Sequence, residues 1–184
     1  MGRSIFRIIA VLLLLRLTAL ASEPQGIWID VPFVQQQKDG CGAAVIAMVM
    51  QYWQQHDGQP ASSASGYAQI FAALDSKVAH GIYAADMVRY FQQNGYRAFA
   101  FAGEWADLER HLAKGRPLIA ALKPGASLPL HYVVITGVDP AAHSVILNDP
   151  AQRKLLKEDA AEFKRDWQAA GNWTLLAVPE VSAP

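Results

Sequence analysis

The stretch 43–53 constrains the fold more than any other part of the chain, because nearly all of its side chains are apolar. A helix that is apolar on nearly every side has to be covered by protein on nearly every side. The sequence therefore predicts a helix from Ala43 to Trp53 that lies in the centre of a domain, with the remaining elements packed around it.

Hydrophobic periodicity predicts helices and strands on both sides of this central segment. The earlier elements are mainly helices and the later ones mainly strands, an order that indicates an α+β fold with a mostly antiparallel sheet. Segments 131–138 and 144–147 are joined by a short polar turn, so we expect them to form an antiparallel hairpin. The predicted helices are 67–74, 84–93, 104–113 and 160–169, the predicted strands are 26–33, 97–102, 117–122, 131–138, 144–147 and 173–178, and 57–66 is predicted to be a loop.

Residues 1–21 have the three parts of a secretory signal peptide, namely a basic start, the apolar run 8–15 and a processing site at Ala19-Leu20-Ala21. An uncleaved membrane anchor is the alternative, but Arg16 interrupts the run well short of the roughly 20 apolar residues that a spanning helix needs. We therefore expect a cleaved signal peptide and a periplasmic or secreted protein. The length of the mature chain, 22–184, predicts one domain.

Charge and motif content argue against several classes of partner. The chain has 16 Lys and Arg against 16 Asp and Glu, and residues 1–21 contain three of the arginines and no acid. The mature chain is therefore mildly acidic without a Lys/Arg cluster, which gives no electrostatic reason to expect nucleic acid or a membrane surface as a partner. No H-E-x-x-H motif, paired C-x-x-C motif or phosphate-binding glycine loop is present, so we expect neither a metal nor a cofactor.

Cys41 is the only cysteine, and it stands between two glycines directly before the predicted central helix. The first turn of a helix leaves backbone N–H groups unpaired and carries partial positive charge, which stabilises a thiolate. A solitary cysteine in an exported protein has no internal disulfide partner, so it pairs between chains or stays a reactive thiol. Cys41 is thus a candidate nucleophile, and the alternative is a small buried core side chain.

A cysteine nucleophile needs a base and a group that orients the base. Of the five histidines, His131 alone opens an apolar strand, where a rigid element can hold its ring at the rim of a cleft. Asp149 follows the partner strand, so the hairpin would bring its carboxylate beside His131, where it can accept the Nδ1–H of the imidazole. The alternatives are a hydrogen-bonded histidine at a strand end and an Asx turn at 148–150.

The chain contains four notable segments, namely 31–35 (Val-Pro-Phe-Val-Gln), 41–44 (Cys-Gly-Ala-Ala), 131–137 (His-Tyr-Val-Val-Ile-Thr-Gly) and 148–150 (Asn-Asp-Pro). Together they resemble the bacteriocin-processing peptidases, which are papain-like cysteine peptidases that act on double-glycine leaders. The resemblance implies a papain-like fold with Gln35 as the oxyanion donor, Cys41 as the nucleophile, His131 as the general base and acid, and Asp149 as its orienting group. Many members of that family have Asp directly before the cysteine, where this chain has Gly40.

Because the sequence has no phosphate-binding glycine loop, we expect a stand-alone peptidase without the ATPase half of transporter-linked relatives, and the predicted signal peptide makes it an exported one. Its expected partner is a peptide or protein substrate with a small-residue pair before the scissile bond, and its expected client belongs to a secretion system. An NlpC-type cell-wall hydrolase is one alternative, although Gln35 and the Asn-Asp-Pro turn favour the leader peptidase. A non-catalytic leader-peptide recognition module is another alternative. All four catalytic positions are filled, which counts against it.

Overall fold

The structure, a computed structural model, describes residues 26–56, 62–125 and 127–180. The predicted signal peptide and residues 57–61 of the predicted loop lie outside the described residues. It remains a prediction that residues 22–184 form one domain.

Helix α1 runs from Cys41 to His56 through the centre of the fold, and every residue from Gly42 to Met50 is buried. The predicted central helix is therefore confirmed, and it extends slightly beyond the predicted bounds at both ends. A short 3-10 helix (Ser63–Ser65) and helices α2 (Tyr67–Leu74) and α3 (Ala84–Gln93) pack against it. Their buried apolar side chains share one hydrophobic core with those of α1.

Within the described residues, seven strands form one sheet, and all of its pairs are antiparallel. The strands are β1 (Ile27–Trp28), β2 (Tyr96–Ala102), β3 (Leu118–Leu122), β4 (His131–Asp139), β5 (Ser144–Asn148), β6 (Leu156–Asp159) and β7 (Trp173–Pro179). Their order is β2-β7-β3-β4-β5-β6, and β1 pairs with β4. Two more helices, α4 (Trp105–Leu112) and α5 (Ala160–Ala169), complete an α+β fold and confirm the predicted class.

The sheet has a hydrophobic core on each face, and the side chains of β3 alternate between them. Ile119 and Ala121 belong to the core formed with α1, α2 and α3, whereas Leu118, Ala120 and Leu122 belong to the core formed with α4 and α5. Successive side chains of a strand point to opposite faces, so a strand covered on both sides is apolar throughout. β3 and its neighbour β4 therefore give His131, the first residue of β4, a rigid support.

The predicted strand 26–33 is wrong over most of its length, because only Ile27–Trp28 pairs with β4. Pro32 has no N–H to donate to a sheet. The carbonyls of Val31 and Pro32 instead accept hydrogen bonds from Asn148 Nδ2, at 3.0 and 3.4 Å. This segment therefore lies beside the end of β5, next to Asp149, and leads the chain towards Cys41.

Strand β6 is absent from the sequence prediction. It lies at the edge of the sheet, where it pairs with β5, and three of its four residues are charged. Charged side chains are common on edge strands because they hinder pairing with other chains. They also remove the apolar pattern by which a strand is recognised in a sequence.

Candidate active site

Cys41 is the first residue of α1, and a tight turn directly precedes it. The Gly40 N–H donates to the Gln37 carbonyl at 3.0 Å, and Asp39 within the turn has a left-handed backbone with φ of 57°. The Gln37 N–H donates in turn to the Tyr67 hydroxyl at 2.9 Å. Helix α2, which carries Tyr67, therefore holds the turn that presents the sulfur.

The glycines on either side of Cys41 leave room for neighbouring elements. A Cβ on Gly40 would collide with the Tyr67 hydroxyl, and a Cβ on Gly42 would lie 2.9 Å from Ile82 Cβ. Both contacts bring distant parts of the chain against the start of α1. They also account for Gly40, because the Tyr67 hydroxyl fills the space that a side chain at this position would need.

His131 opens β4 and Asp149 follows β5, so the pairing of these strands brings the two side chains together. His131 Nε2 donates to Asp149 Oδ1 at 2.8 Å. The nearly buried carboxylate also accepts from the Ala151 N–H at 2.8 Å and from Gln152 Nε2 at 2.7 Å. The expectation that Nδ1 donates to the carboxylate is wrong, because the Nε2 end of the ring is the one that reaches the turn after β5.

The surroundings of His131 favour its charged form. Burial alone would lower its pKa, but hydrogen bonds and charges from Asp149 and Cys41 outweigh burial and raise the pKa of His131 to about 9. Burial works to raise the pKa of Asp149, and the hydrogen bonds from His131, Ala151 and Gln152 outweigh it and hold that pKa below its usual value. A protonated imidazole near a sulfur can give its proton to a leaving group, as acyl transfer requires.

The three glutamines before the turn, residues 35–37, run past the segment that contains Asp149 and Pro150. Gln35 and Gln37 are exposed, whereas Gln36 is half-buried and its N–H donates to the Pro150 carbonyl at 3.0 Å. Gln36 Oε1 is buried and has no hydrogen-bond partner in the described part of the chain. The structure thus turns Gln36 inward and the predicted Gln35 outward. Alternating exposure along an extended segment is the signal that could have found Gln36, which spacing from Cys41 could not.

Cys41 lines a cavity of ≈ 460 Å³ whose walls are residues 79–84 and Pro129-Leu130, with Tyr132 beside them. A cavity of this size suits a small ligand or a short stretch of peptide. Burial and the negative charge of Cys41 raise the pKa of Tyr132 to about 12, so its hydroxyl stays protonated near the sulfur. The Cys41 side chain, which is only partly buried, is therefore reachable through this cavity.

His131 and Asp149 line a second cavity, of ≈ 310 Å³, together with the carboxylates of Glu158, Glu162 and Asp166. Burial, and then the negative charges of Asp166 and Glu162, raise the pKa of Glu158 to about 7. This second cavity, whose lining also includes Lys157 but not Cys41, is therefore rich in carboxylates.

No group of three or more His, Cys, Asp or Glu side chains within 26–56, 62–125 and 127–180 is placed to bind a metal ion. No helix in those same ranges is both long enough and apolar enough to cross a membrane.

Residues 28–175 match the sequence model of the Peptidase_C39 like family, a range that includes Cys41, His131 and Asp149. The fold is that of the papain-like cysteine peptidases. The chain belongs to the Peptidase_C39 like family. Family and fold together support a cysteine peptidase, as the resemblance of the motifs implied. A search of curated proteins found no match.

Three solved structures share the fold over most of the chain. A C39-like peptidase from Bacillus anthracis is 16% identical with a TM-score of 0.66, covering 86% of this chain and 100% of that one. A double glycine motif protease from an AMS/PCAT transporter, in complex with the leader peptide, is 22% identical with a TM-score of 0.64, covering 84% and 98%. The peptidase domain of Streptococcus ComA, a bifunctional ABC transporter involved in quorum sensing, is 21% identical with a TM-score of 0.61, covering 82% and 100%. These likenesses confirm the predicted fold.

Proposed function

We propose that the protein is a cysteine endopeptidase that acts through Cys41, His131 and Asp149. One observation carries the proposal, namely that the His131 imidazole is hydrogen-bonded to a buried carboxylate and lies close enough to the Cys41 side chain for that side chain to raise its pKa. Nucleophile, acid–base group and orienting group stand in this order in thiol-dependent acyl transfer. Membership of a peptidase family supports the same reaction.

In the first half of the reaction, the Cys41 sulfur attacks the scissile carbonyl carbon, and protonated His131 gives its proton to the leaving amine as the C–N bond breaks. The acyl group is now held on the sulfur as a thioester. In the second half, neutral His131 takes a proton from water while the oxygen attacks the thioester, and thiolate leaves. Asp149 holds the ring and balances its charge throughout.

The negative oxygen formed by each attack needs hydrogen-bond donors. The Cys41 N–H is one candidate, because the first N–H groups of a helix have no partner within the helix. A glutamine amide is the other. Gln35 has the spacing found in the resembling family, whereas the burial pattern favours Gln36, and we assign the role to Gln36 on that ground.

The test is proteolysis of denatured casein by the purified protein, with mass spectrometry to record the new chain ends. Wild type should cleave, iodoacetamide should stop it, and Cys41→Ala should be inactive with the unfolding midpoint of wild type. Cleavage by Cys41→Ala at the wild-type rate would show that the nucleophile is wrongly assigned. Peptide binding without cleavage by wild type would identify a recognition module instead of a peptidase.

The client that we propose is a peptide or protein of a secretion system, processed outside the cytoplasm. The leader peptide bound to the AMS/PCAT transporter protease supports a peptide substrate, and the predicted signal peptide supports export. N-terminal sequencing of protein from the periplasm and the culture medium tests the location and should give Ser22 as the first residue. An intact segment 1–21 in the membrane pellet would show an anchored protein.

A further inference from the structure

Large exposed apolar side chains are concentrated around Cys41. The described residues include seven such side chains, of which two line the Cys41 cavity and two more directly precede residues that line it. Tyr83 and Leu130 line the cavity and are 48% and 49% exposed. Val78 and Leu128 directly precede wall residues and are 85% and 54% exposed. We call these four residues the apolar rim; exposed apolar side chains gathered in one place mark a binding surface.

The cavity beneath the apolar rim is built on rigid structure. Ile82 is 5% exposed, and Tyr132 packs edge-on against Trp173 with ring centroids 5.4 Å apart. The loop on one wall is closed by two backbone hydrogen bonds between Ser76 and Gly81, at 2.8 and 3.3 Å. A pocket that exists before binding costs little ordering when its ligand arrives. The cavity is therefore suited to recognise a particular kind of side chain.

The chemistry of the walls selects that kind of side chain. Among the described residues that line the cavity, His80 is the one basic side chain and none is Lys, Arg, Asp or Glu, and the sequence 124–130 contains none of these four types either. A charged substrate side chain placed here would lose part of its hydration and meet no carboxylate, lysine or arginine in return. A glycine pair would leave the apolar rim in water, whereas a bulky apolar side chain would bury it and gain from that burial.

We infer that the substrate carries a bulky apolar side chain, such as Leu, Ile, Met or Phe, next to the scissile bond, held between Tyr83 and Leu130. This inference rests on the proposed function and names its substrate class. It replaces the small-residue pair that the family resemblance implies. Tyr83 and Leu130 are then specificity-determining residues, and neither takes part in the chemical step.

Matched peptides test the inference. The peptides contain one bond that is cut in the casein digest and differ only in having Leu or Gly at a position that flanks this bond. The kcat/KM should be about 10- to 100-fold higher for a Leu peptide than for the Gly peptide. Leu130→Lys should remove most of this preference. Leu155→Lys is the matched control, because Leu155 is 39% exposed and lines a separate cavity with Trp28, so the preference should persist.

Binding of the same peptides to the Cys41→Ala protein, measured by fluorescence anisotropy, separates recognition from cleavage. The inference is supported if the Leu peptide binds more tightly than the Gly peptide and Leu130→Lys weakens the binding of the Leu peptide. Equal binding of the two peptides, or tighter binding of the Gly peptide, overturns it and leaves cleavage by Cys41 untouched. Preference for Leu in binding together with no cleavage by wild type would overturn the proposed function alone.

Discussion

The two halves of the candidate active site reach their positions in different ways. One hairpin brings His131 and Asp149 together, and 18 positions separate them in the chain. Cys41 follows a turn that Tyr67 holds from α2, through a hydrogen bond between residues 30 positions apart. Strand pairing therefore places the base and its orienting group, whereas packing between separate elements places the nucleophile.

This difference implies two kinds of sensitivity to substitution. On the hairpin side, the register of β4 and β5 is kept by several residue pairs, so only changes to His131 and Asp149 themselves should lower the rate strongly. On the nucleophile side, a residue that never touches substrate can shift the sulfur. A displacement of about 1 Å at a reacting atom can cost on the order of 100-fold in rate.

The largest effect is expected from removing a reacting group in either half. Cys41→Ala and His131→Ala should each lower kcat by roughly 10⁶-fold, because members of a catalytic triad act as a unit. Peptide affinity and the unfolding midpoint should change little, since neither side chain is needed to hold a ground-state substrate. Steady-state rates on a casein-derived peptide measure this, and near-wild-type kcat for either variant would contradict the assignment.

Changing the orienting group alone should have the next largest effect. Asp149→Asn should lower kcat by roughly 10⁴-fold, because an amide can favour the wrong tautomer of His131. Gln152→Ala is the matched control, since Gln152 Nε2 contacts Asp149 Oδ2 at 2.7 Å and is not bonded to the ring. Equal rate losses in the two variants would mean that Asp149 acts only by supporting the turn.

The Asp149→Asn variant also has a signature in stability. The pKa of His131 is raised from 6.5 to about 9, so the stability that it contributes is fully present below pH 6.5 and is lost as the pH rises through about 9. The free energy of unfolding should therefore be larger for wild type than for Asp149→Asn below pH 6.5. This difference should shrink as the pH rises through about 9. Urea unfolding at several pH values measures it, and a constant advantage would contradict the raised pKa.

The fold was largely predictable because its main elements have local patterns. The apolar run of α1 and the turn between β4 and β5 identify the central helix and the hairpin without knowledge of their neighbours. The end of β1 depends on a distant contact, in which Asn148 binds the carbonyls of Val31 and Pro32. Strand β6 depends on backbone pairing at a sheet edge, and its charged side chains give no apolar pattern.

The residues of the candidate site likewise fall into those that a local sequence pattern predicts and those that depend on distant contacts. His131 and Asp149 could be paired from the sequence, because strand topology alone puts a residue after β5 beside the first residue of β4. The burial of Gln36 could not be predicted from the sequence, because three glutamines stand in a row and only the folded chain decides which one is covered. The contact between Tyr67 and the turn before Cys41 has no sequence pattern at all, since α2 meets that turn only in the folded protein.

The two glutamines offer a sharper test of the nucleophile side. Gln36→Ala should lower kcat by roughly 100- to 1000-fold, the usual loss when one oxyanion donor is removed. Gln35→Ala is the matched control, and because the Gln35 side chain is exposed, its kcat should stay close to wild type. Single-turnover rates on one peptide compare them directly. A large loss in Gln35→Ala with little change in Gln36→Ala would return the role to the residue that spacing predicts.

The turn before Cys41 tests whether packing alone can alter the chemistry. Gly40→Ala puts a methyl group against the Tyr67 hydroxyl, so the turn must shift, and kcat should fall by about 100-fold. Gly125→Ala is the matched control, because its Cβ would meet only Leu128, at an ordinary 3.6 Å. Both variants should bind peptide, so kcat is the parameter to measure, and equal values of kcat in the two variants would contradict the prediction.

Tyr67 should modulate the same turn with the smallest effect. Tyr67→Phe removes the acceptor of the Gln37 N–H, a neutral hydrogen bond of about 0.5–1.5 kcal/mol, so kcat should fall by about 2- to 12-fold with little change in KM. The Gly40→Ala/Tyr67→Phe double variant should then be faster than Gly40→Ala alone, because the oxygen with which the new methyl group collides is gone. If the two losses simply multiply, the collision is not what displaces Cys41. If Tyr67→Phe lowers only the unfolding midpoint and leaves kcat unchanged, Tyr67 supports the fold without positioning the nucleophile.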